Sequence, residues 1–557
     1  MIWIRVYMKR IVSAILLLLL CLGAKAQDGT DIYQPPFDFP MVFSGNYGEI
    51  RANHFHGGLD IKTQGVTGKP IKAQADGYIS RIRVNTGSGY VLNVTYDNGY
   101  YLIYRHLSKF AGVVDERVKQ WQYEHEQWET DIIPEPDEYP VKAGDVIAYS
   151  GNTGYSFGPH LHLDAVEVKT DEFVDPLPFF RLTVKDHTPP SAEGFMVFPQ
   201  RGKGVVDGQT KNKAYPVSPQ QPITAWGEIG VGLKAYDHME TVNNRYGVKL
   251  VVLTVDGEET FRSDVSRFAE SEHRYINSWT DGQYMKSFIE PGNRLRMLKA
   301  SNGNRGLLTI DEERPYKLVY TMTDGLGNSS EVSFTIIGKR QELPVEDADG
   351  LQVFRWDEVN ILQQPGIDLV VPRGRLYDDL PLDYVVSKNA RDVAFTYQLS
   401  RRTMPLHDYA DLSIGLTQVP VDDMTKYYVA GIDSKGKRYS LGGHFEDGYM
   451  KAKVREIGTF TVGVDTIPPV VKPLNPQQWA RSGVVTLEVK DEHTGISSYK
   501  GTIDGQYALF GKYNSVNNHI VCYLDPDHVK KGGKHELVFT AVDECGNDVT
   551  EKYNFTW

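Results

Sequence analysis

Residues 150–165 read SGNTGYSFGPHLHLDA. A glycine-punctuated turn leads into a run in which His160 and His162 alternate with Leu161 and Leu163. Period-two alternation places both imidazoles on one face of a strand and both leucines on the other. The same grammar extends outward. Turn signals fall between short alternating runs: ADG at 75–77, NTGSG at 85–89, DNG at 97–99 and KAGD at 142–145. DNG between VLNVTY and YYLIY is a strong hairpin signal. Residues 36–180 therefore read as a compact β unit. One segment departs from this grammar: 111–130, AGVVDERVKQWQYEHEQWET, is charged, rich in Gln and Trp, and reads as helical. With the loop IPEPDEYP that follows, it forms an expected helical insertion, 111–140.

The whole chain of 557 residues is long enough for several domains. Its 41% hydrophobic and 24% charged residues are those of a globular protein, which excludes a disordered chain and a many-span membrane protein. A net charge of −12 argues against a nucleic-acid partner, which requires a basic surface. Lys9 and Arg10 precede the apolar run 11–22 and then Ala24-Lys25-Ala26, the order of a secretory signal peptide over residues 1–26. The run is too short to span a bilayer, which takes about 20 apolar residues, and no later segment is long enough. The expected location is the periplasm, the cell envelope or the medium. There Cys522 and Cys545 can pair as a disulfide or remain buried thiols.

Beyond Phe180 the text repeats. DHTPP (186–190) and DTIPP (465–469) each open a module. The first continues with GLKAYDHM (232–239), LTVDGEETF (253–261) and YTMTDGLGN (320–328); the second with LEVKDEHTG (487–495), GTIDGQYALF (501–510) and FTAVDECGN (539–547). Such self-similarity marks repeated modules, and short strands with turn punctuation suggest immunoglobulin-like sandwiches. The expected fold is mainly β: a compact β unit over 27–185, immunoglobulin-like β domains over 186–338 and 465–557, and a β-rich domain over 339–464. The D-G and D-x-x-G-N turns read as Asx turns in preference to calcium sites.

Six of the fifteen histidines fall between His54 and His162. Three separate β segments, NHFHGGLDIKT (53–63), YRHLSKF (104–110) and GPHLHLDA (158–165), each deliver histidine, and the first also delivers Asp60. Neutral imidazoles and a carboxylate are ordinary zinc ligands. The set is large enough for a metal site plus an acid–base pair.

These strings, in the order H-x-G-x-D, H-L-S, K-x-G-D, S-G-x-T-G and P-H-L-H, resemble the lysostaphin/LytM-type zinc metallopeptidases over Phe43 to Phe180. The resemblance implies a small antiparallel β barrel-like sheet with a groove above one zinc ion. It implies His56, Asp60 and His162 as the metal ligands, and His160 and His106 as unligated catalytic histidines, one the general base and the other a donor to the oxyanion. His160 is favoured as base, though the roles can be exchanged. The implied activity is hydrolysis of peptide cross-links in bacterial peptidoglycan, with the β tail holding the enzyme against the wall or a protein partner. The alternative is a non-catalytic wall-binding activator of another hydrolase, against which all five site positions being filled argues. The insertion after His106 is foreign to the family pattern. It reads as a lid or regulatory element, or as a decoration of the barrel.

Overall fold

The computed structural model describes residues 33–240, 242–343, 352–388 and 392–557. The expected signal peptide lies outside the described residues. The protein is mostly β. In the first unit an antiparallel sheet runs in the order Phe43–Gly45, Gly58–Lys62, His160–Glu167, Tyr100–Leu107, Gly89–Tyr96, Gly77–Asn85, Thr130–Ile132. The hairpin expected at DNG joins Gly89–Tyr96 to Tyr100–Leu107.

The alternation seen in the sequence decides which way each side chain faces. Leu161, Leu163 and Ala165 are fully buried in the core of the first unit with Leu59, Ile61, Leu102 and Tyr104. The opposite face carries His160, His162, Asp164 and Val166. Toward Val166 this face is covered: Ile103, Val166 and Phe173 join a second core with Phe268. Strand Arg267–Ala269 of the following unit pairs with Glu172–Val174, so the sheet runs on into its neighbour. The end bearing His160 and His162 is left facing a cleft.

That second core runs on through 195–336, built on the long pair Ser191–Val206 and Ile223–Met239, and two further cores follow along the chain. One lies within 354–462 between two five-stranded sheets. The last lies within 471–555 between two four-stranded sheets around the buried Trp479. Among the described residues no helix is long and apolar enough to cross a membrane.

One expectation is corrected and one open alternative is decided. The insertion is helical only over Gly112–His125; Thr130–Ile132 then adds a strand to the edge Gly77–Asn85. Its helix is anchored by buried Val114 and Val118, and its outer face receives the C-terminal unit. Tyr123 stacks on His528 with ring centroids 3.5 Å apart, Lys119 pairs with Asp525, and Glu126 pairs with Lys500. Trp128 is buried against Tyr513 and fills the space above Gly511, where a Cβ would strike the indole. The segment is thus a bracket for the tail. The open alternative concerns Cys522 and Cys545, which are both free and buried. Cys522 lies in the last sandwich core, whereas Cys545 packs against Tyr428 and Ala430 in a separate cluster, so the fold directs the thiols to different places.

Candidate metal centre

Strand register assembles the site. His162 stands directly opposite Asp60 on one side and opposite Arg105 on the other. Directly opposed residues share a face at close range, so the two side chains meet without any long loop. His56 arrives from the turn just before strand Gly58–Lys62. Gly58 is required there, because a Cβ would sit 2.2 Å from the Leu163 carbonyl oxygen.

His56 Nε2, Asp60 Oδ1 and His162 Nδ1 lie within 3.0 Å of one another. The partners of the remaining ring nitrogens settle where the protons are. His56 Nδ1 is 2.6 Å from the Asn46 carbonyl, which can only accept, so Nδ1 donates and Nε2 presents a lone pair. His162 Nε2 donates to Asp164 Oδ1 at 2.5 Å, turning Nδ1 toward Asp60. With His56 Nε2 and the Asp60 oxygen, three potential ligand atoms converge on one point, where a metal ion would displace the proton shared between His162 and Asp60. Two imidazoles and one carboxylate suit zinc, with room for a further ligand. The residues present therefore fit the implied metal.

The electrostatics agree. Asp60 is 6% exposed; burial opposes its charge, yet the neighbouring His56, His160 and His162 rings hold it well below the usual carboxylate range. Burial works against a charge on His162, but Asp164 and then Asp60 lift the ring to about 9. Asp164 is itself held low, against burial, by Arg105 and His162. Positive charge is drawn to this point. Arg51 Nη2 completes the shell, donating to Asp60 Oδ2 at 2.7 Å.

The two other histidines lie at the margin. His160 Nδ1 donates to the Gly158 carbonyl at 2.8 Å, and its Nε2 stands 3.4 Å from Asp60 Oδ1. His106 Nδ1 donates to the Thr153 carbonyl at 2.8 Å. The rings of His106 and His160 are 4.8 Å apart. Regular alternation would turn Arg105 and His106 to opposite faces. A bulge in this strand and a φ of +62° at His106 allow both to serve the site. Burial, then the nearby His162 and His160, push the His106 pKa down to about 3. The SGNTG turn thus acts through its backbone. Gly151 permits contact with the backbone of 106–108, and the Thr153 carbonyl fixes the His106 tautomer.

All five site residues expected from the sequence meet here. The sequence reading passed over Asp164, Arg105, Arg51 and Asn46. Asp164 was signalled by the same alternation that relates His160 to His162; the others act through tertiary contacts or a backbone atom. The cleft in front of the site holds about 760 Å³ and is walled by Arg274 from the second unit and by Arg375, His407 and Arg455 from the third. No residue of the insertion lines it, so the helix is no lid over His106.

Comparison with known proteins places these features. Residues 54–123 match the model of peptidase family M23, and residues 351–465 match a Zu5-like domain. The chain is 31% identical over 147 residues to the glycyl-glycine endopeptidase ALE-1 of Staphylococcus capitis, covering 26% of this chain and 32% of that protein. It is 31% identical over 110 residues to the DD-carboxypeptidase/endopeptidase Mpg of Neisseria meningitidis serogroup B, 20% of each. It thus spans a third or less of these relatives. Among solved structures it is similar to the lysostaphin catalytic domain of Staphylococcus simulans, 26% identical over 24% of this chain and 89% of that one, with a TM-score of 0.19. The family match falls on the segment that carries His56, Asp60 and His106: residues 54–123 are similar to peptidase family M23.

Proposed function

We propose that this protein is an exported zinc metalloendopeptidase that hydrolyses peptide cross-links of bacterial peptidoglycan. The observation that carries the reading is the convergence of three potential ligand atoms, on His56, Asp60 and His162, beside a cleft that His56 and His162 line. A zinc ion held there supplies a Lewis acid for the scissile carbonyl and lowers the pKa of a water to about 7.

The protein's own residues handle the proton. His160 Nδ1 is engaged by the Gly158 carbonyl, which leaves Nε2, 3.4 Å from Asp60 Oδ1, directed at the site. Nε2 takes the proton of the attacking water and returns it to the leaving amine. His106 has a different role from the one expected. Donation to an oxyanion needs a proton on Nε2, but Nδ1 already holds the ring proton against Thr153, and burial opposes a second. His106 therefore orients the water as an acceptor.

The activities of the relatives, the leader-like N-terminus and the arginine-walled cleft support a peptide substrate bearing carboxylates, as cell-wall stems do. A D,D-endopeptidase reading is favoured over glycine-bridge cleavage. The test is zinc content of the purified protein together with mass spectrometry of peptides released from purified peptidoglycan. Wild type should hold about one zinc and release un-crosslinked peptides, and His162→Ala should do neither. A metal-free wild type, or a variant that cuts equally well, overturns the reading.

A further inference from the structure

Each of the two repeated modules brings three aspartates together, one from the paired-proline linker and two from strand ends. In the first copy Asp186, Asp237 and Asp324 are all buried, with ligand oxygens within 4.8 Å of one another. In the second copy Asp465, Asp491 and Asp543 occupy the same places. Such a cluster needs compensation, and the two copies find it differently.

The second copy compensates with its own donors. Asp491 Oδ2 accepts from the backbone N–H groups of His493, Thr494 and Gly495, at 2.8, 2.6 and 3.0 Å. The Thr494 hydroxyl donates to Asp465 Oδ2 at 2.9 Å, and His493 Nδ1 lies 3.7 Å from Asp465 Oδ1. The loop DEHTG thus fills the space between the carboxylates with hydrogen-bond donors.

The first copy has DHME where the second has DEHTG. Asp324 keeps its Asx turn, accepting from the backbone of Leu326 and Asn328, and Asp186 accepts from Thr188 N. Asp237 is different. It is 6% exposed, its Oδ1 is buried without a hydrogen-bond partner, and one of its carboxylate oxygens lies within 4.8 Å of the other two carboxylates. Among the described residues no lysine or arginine forms an ion pair with any of the three. A buried carboxylate oxygen with neither a donor nor a counter-ion is costly unless a ligand satisfies it.

We propose that Asp186, Asp237 and Asp324 bind one calcium ion at the junction between the peptidase unit and the β tail, and that the second module has replaced that ion with Thr494 and His493. The donors are all hard oxygens, which favours calcium over softer metals, and a loose, high-coordination site suits calcium better than magnesium. The site joins the linker that leaves the peptidase unit to two strand ends of the next one. Gly325, beside Asp324, packs on Leu177 and Asp175. Calcium would stiffen the joint that holds the second unit's wall, with Arg274, over the cleft.

The test uses the mature protein with its transition-metal site filled by zinc and with calcium removed by a selective chelator. Calcium alone is then titrated, with bound ion counted by equilibrium dialysis and the thermal transition followed in parallel. Wild type should bind one calcium per chain, with magnesium a poor competitor, and its transition should rise. Asp237→Asn removes charge from a crowded site and should fold without calcium, but with affinity lowered at least about 100-fold. Asp491→Asn should bind as wild type does. No calcium bound by wild type, undiminished binding by Asp237→Asn, or loss in Asp491→Asn alone overturns the proposal.

Discussion

His162 Nε2 donates to Asp164 Oδ1 at 2.5 Å, two positions along the same strand. Arg105 Nε holds the other oxygen of that carboxylate at 2.6 Å from the neighbouring strand. The pair orients the imidazole so that Nδ1 faces Asp60 and His56, and makes it a stronger base toward a cation.

Asp164→Asn keeps the shape but removes the charge and can present an N–H to the ring. Loss of such a partner typically costs about 10–100-fold in metal affinity. Zinc competition against a chromophoric chelator should show a loss in that range, with wild-type thermal stability in excess zinc. Unchanged affinity would mean that Asp164 only fills space.

The tail reaches back to the site. Asn514 Nδ2 donates to the carbonyls of Asn152 and Ser156 at 2.8 and 2.9 Å, bracing the turn whose Thr153 carbonyl holds His106. Asn514→Ala removes two hydrogen bonds, each worth about 0.5–1.5 kcal/mol. We expect unchanged zinc content and a fall in kcat of about 3- to 10-fold, read on a soluble cross-linked peptide. A fall in zinc content instead would place the effect at the ligands.

Trp128 is the largest side chain between the insertion and the C-terminal unit. Trp128→Ala should cost about 3–5 kcal/mol of that contact. Limited proteolysis should then release the C-terminal unit at protease concentrations that leave wild type intact. Resistance equal to wild type would show that the ion pairs Lys119–Asp525 and Glu126–Lys500 suffice.

Asp175 lies where the peptidase unit meets the next one, and burial pushes its carboxyl up to about 6, against donation from Leu177 N. A carboxyl raised above its unfolded value stabilises the fold while protonated and loses that contribution as pH rises through the folded value. Wild type should therefore lose stability between about pH 4 and 6 through this group, by about 1–3 kcal/mol. Asp175→Asn should raise the thermal transition at pH 7.5, with the gain vanishing near pH 4. A gain independent of pH would remove Asp175 from the account.

Much of the site was legible because it is written in local periodicity. His160 and His162 share a face by alternation alone, the DNG hairpin delivers the strand that ends at His106, and the family pattern supplied the metal ligands. The helix of the insertion was legible from its composition. Its role was not, because the partners of Tyr123 and Trp128 lie about 400 residues away in the chain. The cysteines show the same limit: similar burial and a short separation in sequence left pairing open, and sheet placement decided against it.

The sequence by itself determined a mostly β chain and the identity of the groups that meet in the cleft, since strand period and turn chemistry are properties of neighbouring residues. Only the tertiary structure decided the tautomer of each histidine, the φ of +62° that turns His106 inward, and the arginine wall from distant units. Those depend on which carbonyl or carboxylate stands at hydrogen-bond distance, and that follows from register and packing across the whole chain.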